Sequence, residues 1–168
     1  MANKKGRLEM KSFYIKLIIC TAMLGILTAA AGAAPLSAGK EAFDFTLETL
    51  SGQEITLSEE LKTKRAVLVF FATWCPHCGA AVPATNAFSK KYAPDVRVIG
   101  IDVQESKTKV EDFVKRTKMA YDVVIDAMGV VANRYGISGI PTVIAIDKNN
   151  KVLYRGTSIT DMEKRVEF

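Results

Sequence analysis

The run Ala66–Ala72 is apolar at every position, and it delivers the chain to Trp74, Cys75, Pro76, His77 and Cys78. So short a segment with no polar face is satisfied as an interior strand covered on both sides, which calls for helices above and below a sheet. From Pro76 to Tyr92 the pattern changes: Ala81, Ala84, Phe88 and Tyr92 fall at helical spacing, and Pro83 is expected to kink that helix rather than end it. The two cysteines therefore sit at a strand-to-helix junction, where a CxxC reads as a thiol-disulfide pair.

The junction has chemical consequences. A cysteine at a helix N-terminus lies beside unpaired backbone N–H groups and the positive end of the dipole, both of which favour the thiolate, the attacking form. Pro76 suits the first helical turn, having no N–H to lose there and a φ already helical. Two intervening residues keep the second sulfur within reach of the first, so Cys75 is placed to attack a partner and Cys78 to displace it.

Around this centre the chain alternates strands and helices. Phe43, Phe45 and Leu47, a turn near Ser51 and Gly52, and Ile55 with Leu57 suggest a hairpin, after which Ser58 is a candidate cap for one helical turn through Leu61. Asp95–Asp102 reads as a strand. Thr108 and Glu111 have capping-box spacing ahead of a helix whose apolar face is Val110, Phe113, Val114 and Thr117, with Lys107, Lys109, Lys115, Arg116 and Lys118 on its solvated side. Tyr121–Ile125 is short and β-branched. Asp126 is a candidate cap for a helix through Tyr135, with Gly136 at its left-handed end. Thr142–Ile146 and Val152–Arg155 pair as a hairpin across Asp147–Asn150, and Asp161 opens a last short helix ending at Phe168. The fold class is α/β, a mixed sheet between helices with a late antiparallel hairpin at its edge.

Composition decides where this domain works. Residues 1–34 hold Lys4, Lys5, Arg7, Lys11 and Lys16 against Glu9, so of a net charge of +5 only +1 belongs to residues 35–168. That balance argues against nucleic acid as a partner. The basic flank, the uncharged stretch Leu17–Ala34 and the small residues before Pro35 read as a signal peptide or a signal anchor, residues 1–34, leaving the domain at 40–168 outside the cytosol. Ala29–Ala31 and Ala31–Ala33 both offer small-x-small cleavage sites, and Cys20 reads as a membrane-buried thiol. Without that segment only Cys75 and Cys78 remain, in a compartment where disulfides persist. A staple across so short a loop removes little chain entropy, so reactivity explains the pair better than stabilisation.

WCPHC at 74–78 together with GISGIPT at 136–142 resembles the thioredoxin superfamily. The resemblance implies that Pro141 is cis and faces the CxxC, leaving the backbone of Ile140 free to pair with a substrate strand. The N-terminal hairpin and the extra helix and strand at 106–125 are similar to the extracytoplasmic TlpA/ResA branch, over most of residues 40–160. That branch implies reduction or exchange of protein disulfides outside the membrane, often apocytochrome c, with electrons from a membrane thiol relay. No cofactor or metal is implied, the Cys75–Cys78 disulfide being itself the redox group. Trp74 is expected as a partly buried indole beside the pair, shielding it and contacting substrate.

Three departures stand out. Members of the branch often carry a glutamate where this chain has Ala81, and thioredoxins a buried aspartate where it has Val69. The proton acceptor for Cys78 is then water, His77 or an unlocated carboxylate, with Glu105 a weak candidate. The Pro76-His77 dipeptide matches DsbA-type oxidases, in which a loop histidine stabilises the thiolate and makes the disulfide more oxidising. Roughly 150 mV, about 7 kcal/mol for two electrons, separates reducing from oxidising members. A helix dipole supplies about 0.3–1 kcal/mol to a nearby charge, so one histidine does not decide the direction, and a DsbA-like thiol oxidase stays open. A copper-binding or delivery module would need imidazole or soft ligands beyond His77, the chain's one histidine. A peroxidase lacks the expected threonine and proline before Cys75, and Gly79 after Cys78 excludes a c-type haem motif.

Overall fold

The computed structural model describes residues 35–168. The expected signal or anchor and Cys20 lie outside the described residues. Seven strands and five helices follow in the order β1 (Thr46–Glu48), β2 (Glu54–Thr56), α1 (Leu57–Leu61), β3 (Arg65–Phe71), α2 (Pro76–Tyr92), β4 (Val96–Val103), α3 (Lys107–Thr117), β5 (Asp122–Asp126), α4 (Val130–Arg134), β6 (Thr142–Ile146), β7 (Val152–Gly156) and α5 (Ile159–Arg165). The main sheet runs β5-β4-β3-β6-β7, and β1-β2 form a separate hairpin. β3, β4 and β5 are parallel, whereas β6 runs antiparallel to β3 and β7 to β6. This is the mixed α/β sheet anticipated, with its hairpin at one edge and α3-β5 added at the other.

β3 is the centre because its side chains suit both faces. Ala66, Leu68 and Phe70 pack with Ile99, Ile101, Ile144 and Ile146 under α1 and α4, while Val67 and Val69 pack with Phe88 of α2 and Ile159 and Met162 of α5. Each of the larger of these buried side chains contributes about 1.5–3 kcal/mol. Phe71, the last residue of β3, joins a third cluster with Cys75, Cys78, Val110, Phe113 and Val123, so the cysteines sit on packed hydrocarbon where α2 meets α3. On the opposite face Tyr135 is fully buried among Phe43, Phe45 and Phe70, its hydroxyl donating to the Phe43 carbonyl. Burial pushes that hydroxyl's pKa up and keeps it a donor.

Several local expectations shift by a residue or two. The buried face of α2 is Cys78, Val82, Thr85 and Phe88, not the Ala81–Ala84 line, because the Thr85 hydroxyl is satisfied by the Ala81 carbonyl and is free to turn inward. The helix continues through Pro83. α3 begins after Ser106 without a side-chain cap, so Thr108 and Glu111 form no capping box. α1 starts at Leu57 rather than after Ser58, whose N–H donates to Asp44. α5 is capped by Ser158, which accepts from the Asp161 N–H, and stops at Arg165. Asp126 serves α4 as expected of a cap, though from farther off: its carboxylate accepts the Ala132 N–H, and Gly129 occupies the N-cap. Gly136 has φ +59°, the left-handed end anticipated for it.

Candidate active site

Strand β3 ends at Phe71, and the next few residues turn the chain into α2. Cys75 occupies the N-cap of α2 with extended backbone, its Sγ accepting the Cys78 N–H at 3.2 Å, and Pro76 takes the first helical position. Cys75 and Cys78 form a disulfide with Cα atoms 5.3 Å apart. Both are nearly enclosed, at 5% and 4% exposure.

The facing wall is the loop before β6. Ile140–Pro141 is a cis peptide, and the Ile140 carbonyl oxygen lies 3.7 Å from Cys75 Sγ. Among the described residues the Ile140 backbone forms no backbone hydrogen bond, which leaves its polar groups open toward the disulfide. Arg155 of β7 holds this loop: its guanidinium donates to the carbonyls of Tyr135 and Gly136, both at 2.8 Å. The Thr142 hydroxyl closes the turn onto the Gly139 carbonyl. Two grooves meet at Pro141. One is lined by His77, Ala80, Ala81, Ala84 and Ile159, the other by Gly139, Ile140, Arg155 and Thr157.

Two expectations need correction. Trp74 is not partly buried; it is 71% exposed. Its neighbours explain this: Thr73 donates from backbone and hydroxyl to the Glu105 carboxylate, and Cys75 turns into the core, so the side chain between them faces out. Glu105, the weak candidate for the Cys78 proton acceptor, engages both carboxylate oxygens with Thr73, the residue that precedes Trp74. His77 is exposed on the first of these grooves.

Sequence reasoning missed Asp102. It lies on β4 opposite Phe71, has no exposed surface, and neither of its carboxylate oxygens makes a well-formed hydrogen bond, the Glu105 backbone being the nearest donor. Burial first, and then the adjacent Glu105 charge, push its pKa up to about 7. The available signal was the strand alternation: Val96, Val98, Gly100 and Asp102 share one face, so an inward-facing acid was readable at the strand's end.

A CxxC disulfide at a strand-to-helix junction, faced by a cis-proline on a mixed sheet, defines a thioredoxin-like thiol-disulfide oxidoreductase. The chain belongs to the Redoxin family, whose model matches residues 37–167. It is similar to the thiol-disulfide oxidoreductase ResA of Bacillus subtilis, at 33% identity over 90% of this chain and 85% of that one. It is also similar to the ResA of Bacillus thuringiensis, at 36% identity over 68% of this chain, and there it spans 66% of the relative's length. Among solved structures, one from Chlorobium tepidum described as a thiol:disulfide interchange protein DsbE superposes with a TM-score of 0.69 at 30% identity, over 77% of this chain and 92% of the other.

Proposed function

We propose that this protein reduces or exchanges disulfides of other proteins outside the cytosol, with Cys75 as the nucleophile and Cys78 as the resolving thiol. The observation that carries the reading is Cys75 Sγ at the α2 N-cap, 3.7 Å from the carbonyl of an unpaired Ile140. A substrate strand pairing with that backbone would bring its own sulfur to Cys75. Trp74 and Pro141 are then the apolar walls against which the strand lies.

In the reduced enzyme the Cys75 thiolate attacks one sulfur of a substrate disulfide, forming a mixed disulfide and expelling the other as a thiolate. Cys78 loses its proton and attacks Cys75 Sγ. The Cys75–Cys78 bond forms, the bond to substrate breaks, and substrate leaves with two electrons more than it brought. The helix terminus favours the Cys75 thiolate by about 0.3–1 kcal/mol, and Pro76 holds the turn that creates it. An outside location is supported by the basic, then apolar N-terminal sequence and by the ResA likeness. The same likeness supports apocytochrome c as one substrate and a membrane thiol relay as the source of electrons.

The exposed His77 favours a second reading, a thiol oxidase, since a cation or donor beside the Cys75 thiolate stabilises the reduced form. Equilibrium titration of the full chain against defined thiol buffers, with Cys75→Ser as control, separates the two. A potential near that of thioredoxin is expected. A value at the oxidising extreme replaces the reductant reading with the oxidase.

A further inference from the structure

Once Cys75 holds a substrate, the reaction needs a base for Cys78, which is 4% exposed and packed among Phe71, Val110, Phe113 and Val123. Water reaches such a thiol poorly. The position the branch often fills with glutamate is Ala81, on the outer groove, and the thioredoxin position is Val69, inside the α2–α5 core. Neither supplies a carboxylate.

The adjacent strand supplies one. A Cβ built on Gly100 would lie 3.3 Å from the Phe71 ring and 3.4 Å from Val123, so this face of β4 looks into the hydrocarbon that holds Cys78. Asp102 follows two residues later on the same face, in register with Phe71 at the end of the sheet from which the chain turns into the CxxC. A carboxylate with no exposed surface and no well-formed hydrogen bond on either oxygen is costly to keep. Such a cost is accounted for where the group has a proton to take.

Resting on the reading above, we propose that Asp102 accepts the Cys78 proton during resolution and that Glu105 tunes it. The Cys78 S–H bond breaks, the proton passes to the Asp102 carboxylate directly or across one water, and the sulfur's electron pair forms the bond to Cys75 while the substrate thiolate departs. Reduction of the enzyme disulfide returns the proton. The titratable groups around Asp102 are few. Glu105 stands beside it on the loop after β4, through both its backbone and its carboxyl group, and Asp126 acts on it from the end of β5. α3 presents only Val110 and Phe113, while its Lys107 is drawn outward to Glu48 at 3.5 Å. The pKa near 7 given to Asp102 by burial and by Glu105 suits a base that must both take and release a proton at neutral pH.

The test is stopped-flow reaction of the reduced full chain, carrying Cys20→Ser so that only two thiols remain, with excess Ellman's disulfide, which releases one chromophore when Cys75 attacks and a second when Cys78 resolves. In the wild type the second phase should rise through an inflection near pH 7. Asp102→Asn should slow that phase tenfold or more at pH 7 and abolish its inflection, with the first phase changed less than twofold. Glu105→Gln, which keeps an acceptor for Thr73, should move the inflection to lower pH. Asp126→Asn, on the opposite face and the weakest of the influences on Asp102, should leave the first phase unchanged and move the inflection of the second to lower pH by less than Glu105→Gln does. If Asp102→Asn retains the wild-type profile, this inference falls and the proposed function stands. If the wild type releases only one equivalent, the proposed function falls and this inference with it.

Discussion

Two aspartates lie at the ends of neighbouring strands of one sheet, Asp126 last in β5 and Asp102 next to last in β4, both buried and both acidic, and the sheet uses them in opposite ways. Asp126 on β5 faces α4 and accepts the Ala132 N–H at 2.8 Å, so it satisfies a helix terminus at the same time as itself. Asp102 on β4 lies opposite Phe71, which packs against Cys75 and Cys78, and neither of its oxygens makes a well-formed hydrogen bond. Burial alone therefore says little about what an acid is for; its donors decide. Asp126 serves the terminus of α4, whereas Asp102, in a packed wall next to Phe71, serves no element of the fold.

The largest effect expected concerns the sulfurs. Cys75→Ser should reduce insulin-disulfide turnover to background while the far-UV circular dichroism is kept; retained turnover would detach the Asp102 end of the sheet from chemistry. Next, Asp102→Asn should stabilise the protein by about 1–3 kcal/mol at pH 8, because it removes a group whose ionisation burial opposes. The sign follows from the raised pKa. Between the unfolded value near 4 and the folded value of about 7 the native state binds more protons, so wild-type stability falls as pH rises through that window. The gain should therefore be full above pH 7 and vanish near pH 4 in urea titrations. Asp126→Asn, the same substitution across the sheet, should instead cost about 1 kcal/mol, a charge-assisted bond becoming a neutral one. Equal signs for the two would dissolve the contrast. The smallest effect is Glu105→Gln, which should shift the pH dependence of stability downward by less than one unit, since Glu105 is second to burial among the causes.

Much of this arrangement was readable before any coordinates. The apolar run of β3 could be placed only inside a sheet, and the CxxC after it could lie only at a helix start, so the cap geometry of Cys75 and Pro76 followed from sequence. What escaped was the behaviour of polar residues that turn inward. Thr85 is buried because a helix carbonyl takes its hydroxyl, and a pattern that counts threonine as polar places the helix face one residue off. Asp102 escaped for the same reason: an acid at a strand's end reads as the first residue of a turn even where the alternation Val96, Val98, Gly100, Asp102 points it inward, as the register opposite Phe71 confirms. Trp74 failed in the other direction, since bulk argued for partial burial while the tether of Thr73 to Glu105 turns the indole out.

That outward turn gives the protein an optical gauge of its own. The chain has one tryptophan, and it stands one residue before the disulfide with most of its surface in water. Disulfides quench nearby indole emission, so opening the Cys75–Cys78 bond should brighten the protein, and a polypeptide laid across the ring should shift its colour to the blue. Both signals come from the same fluorophore and differ in kind, intensity for the state of the sulfurs and wavelength for occupancy of the cleft. The order in which a partner docks and electrons move can thus be followed in an unlabelled protein.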